Sequence, residues 1–235
     1  MALPQVNSSK YSTKLPSTNE TIEFRPYLVK EEKILMIAIE SKDQKQMIRA
    51  MQDVIQACVY TQIDVKKLTT FDVEWMFVQL RAKSVGEKVD LKLKCTACET
   101  LNDIVCDLEK VYVSTPDEDV SNVINFSDTI GITVKHPAVD DVANLKQDAE
   151  TMEGVMELMA KSVITIFDED NVYNAEDEGL AEVVKFLENL NSAQFKKITD
   201  YYSNIPTVRS DLDFKCKSCG EENKLELKGI QNFFT

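Results

Sequence analysis

The feature that most constrains this chain is a pair of cysteine motifs of identical spacing, Cys95-Thr96-Ala97-Cys98 and Cys216-Lys217-Ser218-Cys219, with 117 residues between them. Each C-x-x-C turn can present two thiolates to one tetrahedral ion, and two such turns complete a four-cysteine shell with no open coordination position. Segments far apart in sequence are then required to meet. A closed shell of this kind holds chain together and leaves no position for a substrate.

The flanking residues predict how the two turns are carried. Val89, Leu91 and Leu93 alternate with Asp90, Lys92 and Lys94 into the first turn, and Ile104, Cys106 and Leu108 alternate on the way out. Leu212 and Phe214 enter the second turn, Gly220 follows it, and Leu225 and Leu227 leave it. Two β-hairpins with a cysteine knuckle at each tip are expected, forming a split zinc ribbon with Cys95, Cys98, Cys216 and Cys219 as ligands to one structural zinc per chain. Lys94, Lys215 and Lys217 flank the thiolates and are expected to offset their charge. Zinc is favoured over iron in a closed all-thiolate site. A redox C-x-x-C normally opens a helix in a βαβ unit, and disulfides belong to oxidising compartments; neither context is visible around these motifs. The two remaining cysteines, Cys58 and Cys106, read as small buried hydrophobes, with Cys106 the alternative ligand.

Residues 1–10 are polar without an apolar core, and no run of 18 apolar residues occurs, so the expectation is a soluble protein of a reducing compartment. A length of 235 residues with 43% hydrophobic content suffices for one large or two small cores. The net charge of −13 is unevenly spread. Residues 1–106 carry 14 acidic and 15 basic side chains, residues 107–190 carry 20 and 5, and residues 191–235 carry 6 and 7. Three regions follow: 1–106 with an N-terminal hairpin, helices and the first knuckle; 107–190, an acidic and mainly helical module; and 191–235, a helix and the second knuckle packing with the first. The fold class expected is α+β, mainly helical with short antiparallel hairpins. The acidic module argues against nucleic acid or an anionic membrane as partner.

Within this frame, residues 11–15 and 21–27 bracket a polar turn and predict a hairpin. Helices are expected over about 29–40, from Ser41 as cap with Gln44 completing a capping box, and from Thr69 or Thr70 to about Lys83. Met47, Ile48, Met51, Val54, Ile55 and Cys58 form the inner stripe of the second helix. In the acidic module Ile130, Ile132 and Val134 alternate as a strand, and helical patterns follow over 139–147, 152–166 and around Leu180, Val183 and Leu187. Asn191 and Gln194 form a capping box for one more helix.

Catalytic chemistry finds no constellation. His136 is the only histidine and lacks a nucleophile or carboxylate at a meaningful spacing, which makes it an ordinary loop residue. Six glycines supply no phosphate-binding loop. Asp168-Glu169-Asp170-Asn171 resembles the start of a calcium loop, but Val172 and Gly179 occupy positions where oxygen ligands belong. A solvated acidic loop is expected there.

The run Glu23-Phe24-Arg25-Pro26-Tyr27-Leu28-Val29-Lys30-Glu31-Glu32-Lys33-Ile34-Leu35 resembles the opening of the baseplate hub and hub-assembly proteins of T4-type contractile-tailed bacteriophages, the myoviruses. The similarity continues through Phe71-Asp72-Val73-Glu74-Trp75-Met76-Phe77, both knuckles, Phe167-Asp168-Glu169-Asp170 and Asn189-Leu190-Asn191-Ser192-Ala193-Gln194-Phe195. It ends with Gly229-Ile230-Gln231-Asn232-Phe233-Phe234. Some members of that family lack one or more of the cysteines, so the metal site rests on the residues of this chain. The resemblance implies a late virion protein of the tail baseplate, assembled in host cytoplasm, needed for baseplate and tail assembly. Its implied partners are other baseplate and tail proteins in several copies around the tail axis, with no nucleic acid, membrane insertion or small-molecule substrate, and it is not an enzyme. Phe233 and Phe234 are candidate docking anchors, with closure onto the chain's own core as the alternative. An assembly chaperone that leaves before the particle matures remains an alternative function. A zinc-ribbon regulator binding nucleic acid is a further alternative, disfavoured by the absence of a basic stripe.

Overall fold

The computed structural model describes residues 8–115, 121–146 and 151–229. In chain order, strands β1 (Tyr11–Lys14) and β2 (Thr21–Phe24) precede helices α1 (Val29–Ser41), α2 (Gln44–Cys58) and α3 (Thr70–Ser84). Strands β3 (Lys88–Lys94), β4 (Leu101–Asp107), β5 (Tyr112–Val113), β6 (Val123–Asn125) and β7 (Gly131–Val134) follow. Next come α4 (Val139–Ala143), α5 (Met152–Ser162), β8 (Val163–Phe167), β9 (Val172–Asn174), α6 (Ala175–Glu178), α7 (Leu180–Glu188) and α8 (Ser192–Ser203). The order closes with β10 (Val208–Lys215) and β11 (Glu222–Lys228).

The class is α+β with antiparallel sheets, but "mainly helical" understates the strands, which make up 27% against 42% helix. The largest difference lies at residues 152–166. Their apolar pattern reads as one helix, yet the helix stops at Ser162 and Val163-Ile164-Thr165-Ile166-Phe167 is a strand. Four consecutive β-branched residues lose side-chain freedom against a helical turn and fit a pleated surface better. Similarly, residues 139–147 yield a helix only over Val139–Ala143. Ser41 ends α1, and Asp43 takes the capping role expected of it, accepting from the amides of Lys45 and Gln46.

The chain clusters into two units. The first comprises Met1–Val65, Phe71–Ser114 and Thr207–Thr235; the second comprises Lys66–Thr70 and Thr115–Pro206. Residues 191–206, grouped above with the second knuckle, fall in the second unit because α8 buries Ile198 and Tyr201 in its core. Residues 107–114 fall in the first, because β5 pairs with β10 through Val113 and Val208.

In the first unit, the β1–β2 turn is tied to α3. Asp72, fully buried, accepts hydrogen bonds from the Ser17 amide (3.0 Å) and hydroxyl (2.5 Å), and Trp75 Nε1 donates to Thr13 Oγ1 at 3.1 Å. Met51, Val54, Ile55 and Cys58 of α2 are buried as the periodicity predicts, and α2 packs against α1. The hairpins β3–β4 and β10–β11 each run seven residue pairs in register.

The second unit is a four-stranded antiparallel meander in the order β6-β7-β8-β9. Ile124, Ile132 and Ile166 stand opposite one another across three strands and pack with residues of α5, α7 and α8. Gly131 allows the close approach: a Cβ there would lie 2.5 Å from the Phe167 ring and 2.7 Å from the Ile124 carbonyl oxygen. Asn191 and Gln194 cap α8 reciprocally, as their spacing predicts.

The run from Glu23 to Leu35 has a physical role in this fold. Glu31 in the first turn of α1 is 3% exposed; its carboxylate receives the Leu28 amide at 2.7 Å and the Arg25 guanidinium at 2.9 Å. Arg25 also donates to the carbonyls of Pro26 and Ala57, fastening the helix start to the end of α2. Burial by itself would raise the Glu31 carboxyl, but Arg25, the Leu28 amide and Lys30 outweigh it and hold the pKa below the ordinary glutamate range. A depressed carboxyl contributes stability above its unfolded-state value, about 4.3, and that contribution drains as pH falls through the folded-state value. Glu31→Ala is therefore expected to cost about 3 kcal/mol at neutral pH, by leaving Arg25 without its partner. The deficit relative to wild type should shrink below about pH 4, as measured by urea unfolding across a pH series; a deficit independent of pH would refute the ion-pair account.

Candidate metal centre

The two cysteine hairpins repeat one local construction. In the first, the Cys95 amide donates to the Thr100 carbonyl at 3.0 Å and the Glu99 amide to the Cys95 carbonyl at 3.0 Å. In the second, Cys216 donates to Glu221 at 2.8 Å and Gly220 to Cys216 at 3.0 Å. Both tips need a left-handed residue directly after the second cysteine. Gly220 takes it with φ 77° at no steric cost, whereas Glu99 adopts φ 56° with a Cβ to accommodate.

The tips meet and bring all four expected ligands together. The Sγ atoms of Cys95, Cys98, Cys216 and Cys219 lie within 4.8 Å of one another, with Cys95–Cys219 and Cys98–Cys216 both at 3.7 Å. A disulfide would place sulfurs about 2.05 Å apart. A tetrahedral ion with bonds of about 2.3 Å sets them about 3.8 Å apart, close to the 3.7 Å of these two pairs. The donor set and its geometry therefore fit a metal ion, with one thiolate of each pair buried (Cys95, Cys216) and the other exposed (Cys98, Cys219).

Two asparagines organise the site, and neither belongs to a cysteine motif. Asn223 on β11 reaches the first knuckle: its Oδ1 receives the Thr96 amide at 2.8 Å and the Thr96 hydroxyl at 2.9 Å, and its Nδ2 donates to Cys95 Sγ at 3.5 Å. Asn102 on β4 does the same for the second knuckle: its Oδ1 receives the Lys217 amide at 2.8 Å and its Nδ2 donates to Cys216 Sγ at 3.7 Å. Both are 2% exposed. Each stands four residues after the last cysteine of its own knuckle, so the full repeat is C-x-x-C-x-x-x-N, a signal present in the sequence. Each hairpin thus supplies the outer support for the other's ligands.

Backbone amides at the tips tune the sulfurs. The Cys219 and Ser218 amides pull the Cys216 thiol down to about 6, and the Cys98 and Ala97 amides lower that of Cys95. Although the Glu221 amide favours the Cys219 thiolate, the sulfurs of Cys98, Cys95 and Cys216 push it up to about 12. Four thiolates this close repel one another, and a divalent cation removes that repulsion. Lys217, which neighbours the thiolates in sequence, reaches Asp103 Oδ2 at 3.3 Å.

The other singled-out residues lie elsewhere. Cys58 and Cys106 are buried; burial raises the Cys58 thiol to about 11, and Cys106 sits 3.5 Å from Ser210 Oγ, outside the four-sulfur cluster. His136 stacks on Tyr201 with ring centroids 5.8 Å apart. Asp168 closes its own loop by accepting the amides of Asp170 and Asn171, and Val172 begins β9. Phe233 and Phe234 fall outside the described residues.

A family described as T4 bacteriophage base plate protein matches residues 8–235. The chain belongs to that family. Among curated proteins and among solved structures, nothing matches it. Membership makes this chain a phage tail baseplate protein whose interactions are with other tail proteins. In keeping with that setting, none of its described helices is long and apolar enough to cross a membrane.

Two outcomes test the geometry of the baseplate protein's knuckles. Asn102→Ala or Asn223→Ala should weaken metal affinity about 10–100-fold, read by competition with a chromophoric chelator. Loss from one knuckle's ligands only, followed by cobalt absorption, would identify the hairpin each asparagine supports, while unchanged affinity would contradict the cross-support. Glu99→Gly should raise stability by about 0.5–1 kcal/mol, a Tm increase of about 1–4 °C, since glycine relieves the left-handed strain; an unchanged or lower Tm would show that Glu99 is not strained.

Proposed function

We propose that the chain is a structural subunit of the phage baseplate hub, a non-enzymatic protein that remains in the mature tail and takes one zinc ion on Cys95, Cys98, Cys216 and Cys219. The observation that carries this reading is the meeting of two knuckles from distant parts of a baseplate-family chain into a shell with no open position. Such a site contributes its binding energy to folding and none to substrate activation. Zinc is preferred because a closed all-thiolate site suits a soft ion without redox demands. The ion fastens together two stretches of the first unit that lie on either side of the second unit in sequence.

Purified protein is expected to contain about one zinc per chain by elemental analysis, and the double variant Cys95→Ser, Cys216→Ser should retain almost none while losing stability. Undiminished zinc in the double variant would defeat the four-cysteine site. The hub placement is tested separately by mass spectrometry of purified virions: peptides of this chain at a fixed ratio to tail proteins support a resident subunit. Their absence from intact tails, with presence in assembly intermediates, would replace that reading by an assembly chaperone.

A further inference from the structure

One cavity of the second unit lies between the β8–β9 hairpin, the turn before β7 and the helices α6 and α7, and holds 280 Å³. Phe167, Tyr173 and Phe186 give it aromatic walls, and Ile130, Ile166 and Val183 complete the apolar lining. The remaining lining residues are three carboxylates, Asp168, Glu178 and Glu182, with no lysine or arginine among them. Apolar side chains at and beside its mouth stand in water: Ile130 is 42% exposed, Tyr173 40% and Val172 72%. Sites for small molecules usually span about 300–1,000 Å³, so this cavity has room for one long side chain rather than a cofactor.

The charge around this cavity has one sign. From Val163 to Val184 the chain carries seven carboxylates and no basic residue. Lys185 pairs with Glu182 at 2.6 Å and Lys197 is held by the Asn125 carbonyl at 2.6 Å, and neither lines the cavity. Asp168 and Glu178 remain. The amides of Asp170 and Asn171 donate to Asp168, as does the Tyr173 hydroxyl at 3.1 Å, and together they hold its carboxyl below the ordinary aspartate range. Glu178 makes no hydrogen bond or ion pair among the described residues. We propose that the cavity receives an arginine side chain of another tail protein, with its guanidinium against Asp168 and Glu178 and its stem against the aromatic walls. A guanidinium suits the site better than an ammonium, because it is planar, less strongly hydrated, stacks on aromatic rings and forks toward carboxylates. The occupant is sought among tail proteins because the interactions of this family lie there. The inference stands independently of the hub placement and of the metal.

Titration of the methyl-labelled full chain with a capped Gly-Arg-Gly peptide, followed by NMR, tests the chemistry. The methyl signals of Ile130 and Ile166 should shift and saturate with a Kd of about 1–10 mM, the range expected of a single side chain. The matching lysine peptide should bind at least about 3-fold more weakly, and a peptide with neutral citrulline in place of arginine should not saturate. Glu178→Lys changes an exposed position, so it should keep the wild-type Tm while weakening the arginine peptide more than about 10-fold. Signals that stay still up to about 50 mM peptide would overturn the proposal. An equal response to citrulline or lysine would overturn it too, as would undiminished binding to Glu178→Lys. The partner is tested by a photoreactive residue at Val172, introduced into virions or assembly intermediates, whichever contain the chain. It should cross-link to an arginine-bearing peptide of another tail protein; no cross-link, or cross-links confined to peptides without arginine, would overturn the docking. None of these results touches the hub placement, which virion composition decides.

Discussion

In the first unit, two hairpins more than 100 residues apart in sequence meet where their cysteine knuckles face each other. Mutual repulsion among four sulfurs opposes that meeting, and hydrogen bonds from amides and from Asn102 and Asn223 offset only part of it. A cation held by the four sulfurs would remove that repulsion, and the hairpins behind the tips would gain from it. The rest of the unit is held in the ordinary way, by apolar burial and by a few buried polar fasteners such as Asp72 on the Ser17 turn and Glu31 on Arg25. These fasteners act over a helix turn or a hairpin tip. The knuckles connect segments more than 100 residues apart.

The cysteine knuckles and their hairpins were legible because each requirement is local: two cysteines on a tight turn, and alternation on both sides of it. The Asn191–Gln194 cap and the inner stripe of α2 were legible for the same reason. The helix-to-strand change at Ser162 was not, since an apolar run of that length satisfies either period. Its β-branched composition was the distinguishing cue. Ser41 lost the capping role to Asp43 because both residue types cap, and their positions differ by less than one turn. Asn102 and Asn223 escaped for a different reason. Their spacing from the cysteines repeats in the sequence, but asparagine near a turn ordinarily closes that turn, whereas these reach across to the opposite hairpin, a tertiary relation that no local pattern contains.

The acidic excess gains a location from the fold. It belongs to a unit with its own sheet and its own helical core, inserted in the chain between the two halves of the metal centre. The cysteine cluster thus lies in one unit, and the acidic excess and an apolar groove lie in the other.

The separation of the knuckles also sets a schedule. During synthesis at about 5–20 residues per second, Cys95 and Cys98 emerge about 6–23 s before their partners. Throughout that interval the first pair has only two ligands to offer, too few to close a tetrahedral shell, while the whole inserted unit appears and can fold. The clasp cannot close before the second knuckle has been made. Its formation reports that everything between the two knuckles has already been made, so a metal ion held by all four sulfurs acts as a completion mark on the chain.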